Sequence, residues 1–263
     1  MKSIVITGST RGIGLGLARA FLLRGHRVTI NGSRHERLDE ALQSLAGFGA
    51  RVHGVEGSVA DRSAMEKLFQ EASQRFGAVD IWVNNAGIGH SRRMLWELDD
   101  REIQKVIDVN LLGIINGTVA AYSGMSGQGF GNIFNMEGLG SEGFIKEGLS
   151  VYGTSKSALH YFTKAFATEA KGGSVKIGVL SPGMVITDML FETVAGAPDP
   201  EGEKRFFNKV ADDVETVSAR LAEGMLASKR QYDCIKCLTK RKMIFRMLFG
   251  SLRRKDFFSS GNS

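Results

Sequence analysis

Tyr152 and Lys156 stand four residues apart in the run Val151-Tyr-Gly-Thr-Ser-Lys-Ser-Ala-Leu. On a helix, positions i and i+4 share a face, so this spacing carries an ammonium group beside a phenol. A tyrosine ordinarily ionises near pH ~10 and moves protons poorly at neutrality. Bringing it to about 7 takes roughly 3 units, or about 4 kcal/mol of preferential stabilisation of the phenolate. A lysine cation in a water-poor site supplies much of that, and a bound nicotinamide cation adds more. The pair therefore points to proton transfer at an oxygen that is being reduced or oxidised. Alone, the same spacing fits an amphipathic helix with an exposed lysine. What precedes it in the chain decides between the two.

Met1-Lys-Ser-Ile-Val-Ile-Thr7 reads as a short buried strand, apolar and β-branched. It runs into Gly8-Ser9-Thr10-Arg11-Gly12-Ile13-Gly14 and then an apolar helical stretch ending at Gly25. Glycines at these positions permit a tight turn, close approach of backbone to a pyrophosphate, and close helix–strand packing, while the helix points its free N–H groups at the phosphates. The next strand, Arg27–Asn31, leads to Gly32-Ser33-Arg34. An NAD site would place a carboxylate there for the ribose 2′-hydroxyl. Ser33 and Arg34, with Arg11 in the first turn, instead suit a 2′-phosphate, which a carboxylate would repel. The expected cofactor is NADPH.

Strands and helical patterns alternate beyond this point. Residues 51–55, 79–84, 132–135, 175–180 and 231–239 read as strands, and Asp61 to Phe76 as an amphipathic helix capped by Asp61. Such alternation predicts one α/β domain, a Rossmann-type doubly wound parallel sheet of about seven strands with helices on both faces. Ligands then bind at the carboxyl ends of the strands, where Gly8, Asn84, Asn135 and Ser181 fall.

The 263 residues, 43% apolar and 24% charged, suit a single soluble domain. The first strand begins at residue 3 with no leader pattern before it, and no uncharged apolar run approaches the ~20 residues of a spanning helix, so a cytoplasmic protein is expected. Cys234 and Cys237, three apart in a strand, face opposite sides and read as packing residues, so no metal is expected. The formal charge of +6 is uneven: residues 229–263 hold ten Lys or Arg against two Asp, a net of +8, leaving −2 for residues 1–228. Basicity confined to the tail argues against a nucleic-acid partner.

These motifs together resemble the short-chain dehydrogenase/reductase family over roughly residues 1–240. Thr7-Gly8-x-x-x-Gly12-x-Gly14 is similar to its cofactor turn, Asn84-Asn85-Ala86-Gly87 to its central-strand motif, and Tyr152-x-x-x-Lys156 to its catalytic pair. Asn110 corresponds to the helix asparagine that anchors a proton-relay water, and Ser181-Pro182-Gly183-Met-Val185-Ile-Thr187 to the turn that holds the nicotinamide amide. The resemblance implies contacts to the cofactor from Gly8 to Gly14 and from Ser33, Arg34, Ser58, Val59, Asn85, Ala86, Gly87, Tyr152, Lys156, Pro182, Gly183, Val185 and Thr187. It also implies a homodimer or homotetramer.

Two departures stand out. Where the family has a Ser-Ser pair after the strand ending at Asn135, this chain has Glu137-Gly138, and the nearest hydroxyl is Ser141. The donor that polarises the substrate carbonyl is then absent, displaced to Ser141, or replaced by backbone N–H groups; losing one such donor costs ~10²–10³ in rate. Ser58-Val59 stands where an Asp-Val is common against the adenine. The segment 133–143 and the basic, aromatic tail resemble the chlorophyll(ide) b reductase branch, which reduces the 7-formyl group of chlorophyll b. The alternatives are reduction of a 3-oxoacyl thioester, quinone or similar carbonyl, and a non-catalytic dinucleotide-binding protein.

Residues 188–213 read as a mobile lid in which Met189, Leu190, Phe191, Phe206 and Phe207 could cover a large apolar substrate, or simply pack beneath a loop. Residues 240–263 form a tail that interleaves basic and apolar residues at helical spacing. It suits either an anionic membrane surface or a helix docked on protein.

Overall fold

Alternation of apolar residues decides the sheet. In β1 (Ser3–Ile6), Ile4 and Ile6 face one side and Val5 the other, and all three are fully buried. A strand covered on both faces requires this two-residue repeat. The computed structural model describes residues 1–250 and 256–258. After β1 come α1 (Gly12–Leu23), β2 (Arg27–Gly32), α2 (His35–Ser44), β3 (Val52–Glu56), α3 (Arg62–Phe76) and β4 (Ile81–Asn84). A continuous helix follows: α4 (Asp100–Ile107), a π turn (Asp108–Leu112) and α5 (Gly113–Gln128). The chain then runs through β5 (Gly131–Met136), α6 (Ser150–Glu169), β6 (Val175–Ser181), α7 (Asp188–Ala195), α8 (Pro200–Val210), α9 (Val214–Ala227), β7 (Tyr232–Lys236) and α10 (Lys240–Phe249).

The seven strands pair in parallel in the order β3-β2-β1-β4-β5-β6-β7. The order reverses between β1 and β4, and a ligand crevice opens outside the carboxyl ends there. One face packs Leu17 and Phe21 of α1, Leu38 of α2 and Leu221 of α9 against Ile4, Ile81 and Phe134. The other packs Phe69 of α3 and Met125 of α5 against Val5, Trp82 and Ile133, with Phe166 of α6 half-buried alongside. Each large apolar side chain so buried contributes about 1.5–3 kcal/mol.

Two expectations meet a different outcome. The fourth strand starts at Ile81, not Val79, because the Gln128 side chain takes both backbone groups of Val79: its Nε2 donates to the carbonyl at 2.6 Å and its Oε1 accepts from the N–H at 3.3 Å. The helix from Asp100 to Gln128 is long and apolar enough to cross a membrane, contrary to the reading of the sequence, yet half of its most apolar window is buried inside the fold. The segment read as a lid folds into two capped helices: the Thr187 hydroxyl accepts from Leu190 N–H to start α7, and the Asp199 carboxylate accepts from Gly202 N–H to start α8. Cys234 is exposed and Cys237 buried, and both are free thiols.

Candidate active site

The turn between β1 and α1 is locked by neighbours on both sides of the crevice. Asn85 Nδ2 donates to the carbonyls of Thr7 (3.0 Å) and Gly8 (2.9 Å), and Thr7 Oγ1 accepts from the N–H groups of Asn85 and Ala86, both at 3.1 Å. A Cβ on Gly14 would stand 2.5 Å from both Gly8 O and Asn85 Nδ2, so only glycine lets the helix begin so close to the turn. Asn31, which the sequence reading passed over, accepts from Gly8 N–H and donates to the carbonyls of Val55 and Gly57, tying three strand ends together. The buried Ser9 hydroxyl is consumed by Ile6 O and Asn31 N–H and shapes the turn from within.

The outer side of this turn is open. A Cβ at Gly12 (φ +55°) would meet only Thr187 Cγ2, at 3.8 Å, across the gap between the turn and α7. With the α1 N–H groups aimed into that gap, the cleft fits the pyrophosphate of a nicotinamide dinucleotide. Ser33 and Arg34 are exposed at the end of β2, and Thr10 packs against Gly32 beside them. Arg11, expected to join Arg34, is instead paired with Asp188 at the start of α7 (3.1 Å). Both partners are more than half exposed, so the pair is worth ~0–1 kcal/mol, little enough for a phosphate to displace it. On the adenine side Val59 is buried and Ser58 exposed. Across the cleft Pro182 and Val185 are buried, and exposed Gly183 adopts φ +77°.

Tyr152, Lys156 and Asn110 converge at the carboxyl ends of β4 and β5. A Cβ at Gly87 would stand 3.4 Å from Lys156 Nζ and 3.5 Å from Asn110 Oδ1. Asn110 is wholly buried in the π turn, a local widening frequent at functional sites. Its side chain brackets Ile88, accepting from the N–H at 2.8 Å and donating to the carbonyl at 2.9 Å, and donates to Ser155 Oγ at 3.1 Å. His90 adds a contact no motif announced: its Nδ1 bonds Ser91 O at 2.8 Å, leaving Nε2 to accept from Tyr152 N–H at 3.2 Å. Behind these groups a buried polar chain joins Trp82 Nε1, Asn84, Asn135 and Thr163, linking β4 and β5 to α6.

The protein's own groups do not acidify the phenol, contrary to the expectation that Lys156 would. Burial pushes Tyr152 up to about 12. Burial also pulls Lys156 down to about 8, with the Glu137 carboxylate acting the other way. Lys156 Nζ donates to Met136 O at 3.2 Å and lies over the face of the Tyr152 ring, 5.9 Å from its centre, rather than at the hydroxyl.

The loop after β5, with Glu137-Gly138 in place of the serine pair, sets its glycine directly against Tyr152. A Cβ at Gly138 would stand 2.5 Å from Tyr152 Oη and 3.1 Å from Lys156 Cε. Ser141, the expected substitute donor, gives its one proton to Lys156 O (3.2 Å) and accepts from Gly138 N–H (3.2 Å), so it braces the loop instead of facing a substrate. Glu137 is buried, with Oε1 2.5 Å from His160 Nδ1 and Oε2 without a hydrogen-bond partner among the described residues.

Over the cleft, Glu203 of α8 binds Arg92 Nη1 (3.2 Å) and Lys146 Nζ (2.6 Å), joining α8 to the loops after β4 and β5. Of the expected lid residues, Phe207 is buried with Val194 and Val210, Leu190 and Phe206 pack onto that cluster, and Phe191 meets Phe258 edge-on. Met189 lines the cleft, with Arg11, Ile88 and Gly89.

A crevice at the amino end of α1, beside a Tyr–Lys–Asn cluster, fits a nicotinamide dinucleotide. The short chain dehydrogenase family matches residues 2–197, and the chain belongs to that family. It is 32% identical over 275 residues to a probable chlorophyll(ide) b reductase of Arabidopsis thaliana, covering 98% of this chain and 54% of that protein. It is 36% identical over 231 residues to a second chlorophyll(ide) b reductase of that plant, covering 86% and 65%. A 3alpha-hydroxysteroid dehydrogenase of Mediterraneibacter gnavus is 34% identical over 191 residues, covering 72% and 76%. This chain thus spans little more than half the length of the first of these relatives. Among solved structures, the closed form of a serine dehydrogenase complexed with NADP+ superposes with a TM-score of 0.76 at 26% identity, covering 88% of this chain and 93% of that one.

Proposed function

We propose that the protein is an NADPH-dependent carbonyl reductase that converts the 7-formyl group of chlorophyll(ide) b to a hydroxymethyl group. The observation that carries this reading is Gly138 against Tyr152 Oη. The site lacks the serine that would polarise a carbonyl, and an aldehyde, being a better hydride acceptor than a ketone, tolerates that loss. The two chlorophyll(ide) b reductases matched over most of this chain support it.

The Gly8–Gly14 turn and the α1 N–H groups would hold the pyrophosphate, Arg34 and Ser33 the 2′-phosphate, and Lys156 the nicotinamide ribose, and the cofactor so held would supply a hydride. Tyr152 gives its proton to the carbonyl oxygen as that oxygen gains charge. A phenol held near 12 by burial stays protonated at neutral pH, which suits the acid of a reduction. Asn110 fixes the Ile88 loop against α6 and keeps the acid in register. The enzyme works as a homodimer or homotetramer on a large apolar carbonyl substrate, with residues 240–263 touching a membrane. The two plant relatives are chloroplastic; for this chain we propose the aqueous phase beside a membrane, as in a cytoplasmic peripheral enzyme.

The test is NADPH oxidation with a panel comprising formyl-bearing pigments, a 3-oxoacyl thioester and a quinone. Turnover confined to the formyl compounds supports the reading, turnover confined to another member reassigns the substrate, and none at all leaves a dinucleotide-binding protein. For the cofactor, Arg34→Asp is expected to lower NADPH affinity at least ~10-fold while sparing NADH, because it removes a charge-assisted contact and adds repulsion. Equal wild-type affinities for the two would end the NADPH assignment.

A further inference from the structure

Helix α10 is inverted with respect to its composition. The residues it turns inward are Met243, Arg246 and Gly250, the last two buried and the first half-buried. Arg246 is held at 6% exposure by Val210 O (2.7 Å) and by both carboxylate oxygens of Asp212 (2.9 and 2.8 Å). Gly250 sits so close to α8 that a Cβ there would meet Lys209 Cβ at 2.8 Å. With that stripe committed, the large apolar residues point to solvent: Ile244 is 61%, Phe245 63% and Leu248 68% exposed, with Met247 and Phe249 at 48% on the flanks. A buried, multiply bonded arginine is not readily exchanged for water, so the helix cannot simply roll to hide its apolar face.

The charges around this face select its partner. The first turn of α10 holds Lys240, Arg241 and Lys242 and no acidic residue. Cations at a helix N-terminus oppose the macrodipole, a cost that an apposed negative surface relieves. Lys240 and Arg241 are exposed and make no ion pair among the described residues. A parallel two-fold pairing of this face with a second copy would set one basic first turn beside another. We infer that α10 is a docking face for an anionic lipid surface, with Ile244, Phe245 and Leu248 entering the acyl boundary and Lys240 and Arg241 at the headgroups.

This deepens the membrane contact proposed above by fixing which face docks and what it touches. Met243 packs into the apolar cluster of Val194 and Phe207, and α10 lies on α8, whose Glu203 holds the loops around the cleft. A lipid surface on the outer face of α10 is therefore one helix away from α8.

The experiment floats the full chain with phosphatidylcholine vesicles, with and without phosphatidylglycerol, in the absence of any carbonyl compound. Dinucleotide binding serves as the control for folding. The wild type is expected on the anionic vesicles only, and less so at high salt. Phe245→Ser with Leu248→Ser, and separately Lys240→Glu with Arg241→Glu, are each expected to reduce partitioning at least ~10-fold while dinucleotide binding stays unchanged. Equal partitioning to both lipids, none to either, or indifference to the substitutions overturns the proposal. So does a wild-type oligomer that Phe245→Ser with Leu248→Ser splits in sedimentation velocity, since the face would then belong to a second copy. A chain that reduces formyl pigments but ignores vesicles retains the proposed activity and loses this inference; the reverse result does the opposite.

Discussion

The two sides of the crevice are built on different physics. On the dinucleotide side, from β1 to β4, short hydrogen bonds between neutral groups close the Gly8–Gly14 turn, and glycines fill places where no side chain fits. On the substrate side, bonds to charged groups of distant segments do the holding: Glu203 pairs with Arg92 and Lys146, Arg246 with Asp212, and the Glu137 carboxylate is hydrogen-bonded to His160. A neutral lattice of this kind presents one rigid shape to one ligand. Charged latches between loops can be exchanged without disturbing the sheet, and they respond to pH. The contrast teaches that the generic half of the reaction is fixed by backbone geometry and the specific half by side-chain electrostatics.

The sharpest way to break this comparison is at the proton. Tyr152→Phe is expected to lower turnover by roughly 10²–10⁴-fold, with dinucleotide affinity nearly intact in a fluorescence titration; substantial residual turnover would mean another acid. Gly14→Ala attacks the neutral lattice. Its Cβ would fall 2.5 Å from Gly8 O, so it should cost about 1–3 kcal/mol of stability and weaken dinucleotide binding ahead of any change in substrate KM. An unaltered affinity and melting temperature would show that the turn is slacker than described.

Glu203→Gln is the counterpart on the charged side. Burial raises the Glu203 carboxyl, but Lys146 and Arg92 more than offset this and leave it below its ordinary value. A carboxyl depressed in the folded state contributes stability at neutral pH that is lost as pH falls through its folded value. Removing the charge should raise substrate KM several-fold while leaving dinucleotide affinity alone, and acid should do the same to the wild type. Steady-state kinetics at two pH values checks both. The smallest expected effect lies behind Lys156. With Lys156 pulled to about 8, activity should fall as pH rises through that value and the ammonium is lost. Glu137→Gln withdraws the charge that sustains the ammonium, so the alkaline limb should move to lower pH; a limb that moves upward or not at all would refute the link.

How much of this was readable from residue order follows the same division. The glycine turn, Asn84–Gly87, Asp61 as a helix cap and the Tyr152–Lys156 pair are local patterns, and they lie where spacing placed them. The latches join residues 23, 57 and 111 positions apart, and no local rule pairs such groups in advance. Ser141 looked like a spare hydroxyl because sequence shows proximity but not the direction in which a proton is given. Helical periodicity in the tail was sound for 240–249, but which stripe faces inward depended on Asp212, a residue that periodicity does not see. Residues 251–255 and 259–263 of that tail lie outside the described structure.

The buried amide relay through Asn84, Asn135 and Thr163 anchors the tyrosine-bearing helix to the two central strands without involving any loop. Tyr152 and scaffold thus form one unit, to which the segment spanning 188–213 is appended. Grafting that segment from a relative with other tastes should therefore retarget the protein while Tyr152 keeps its aim.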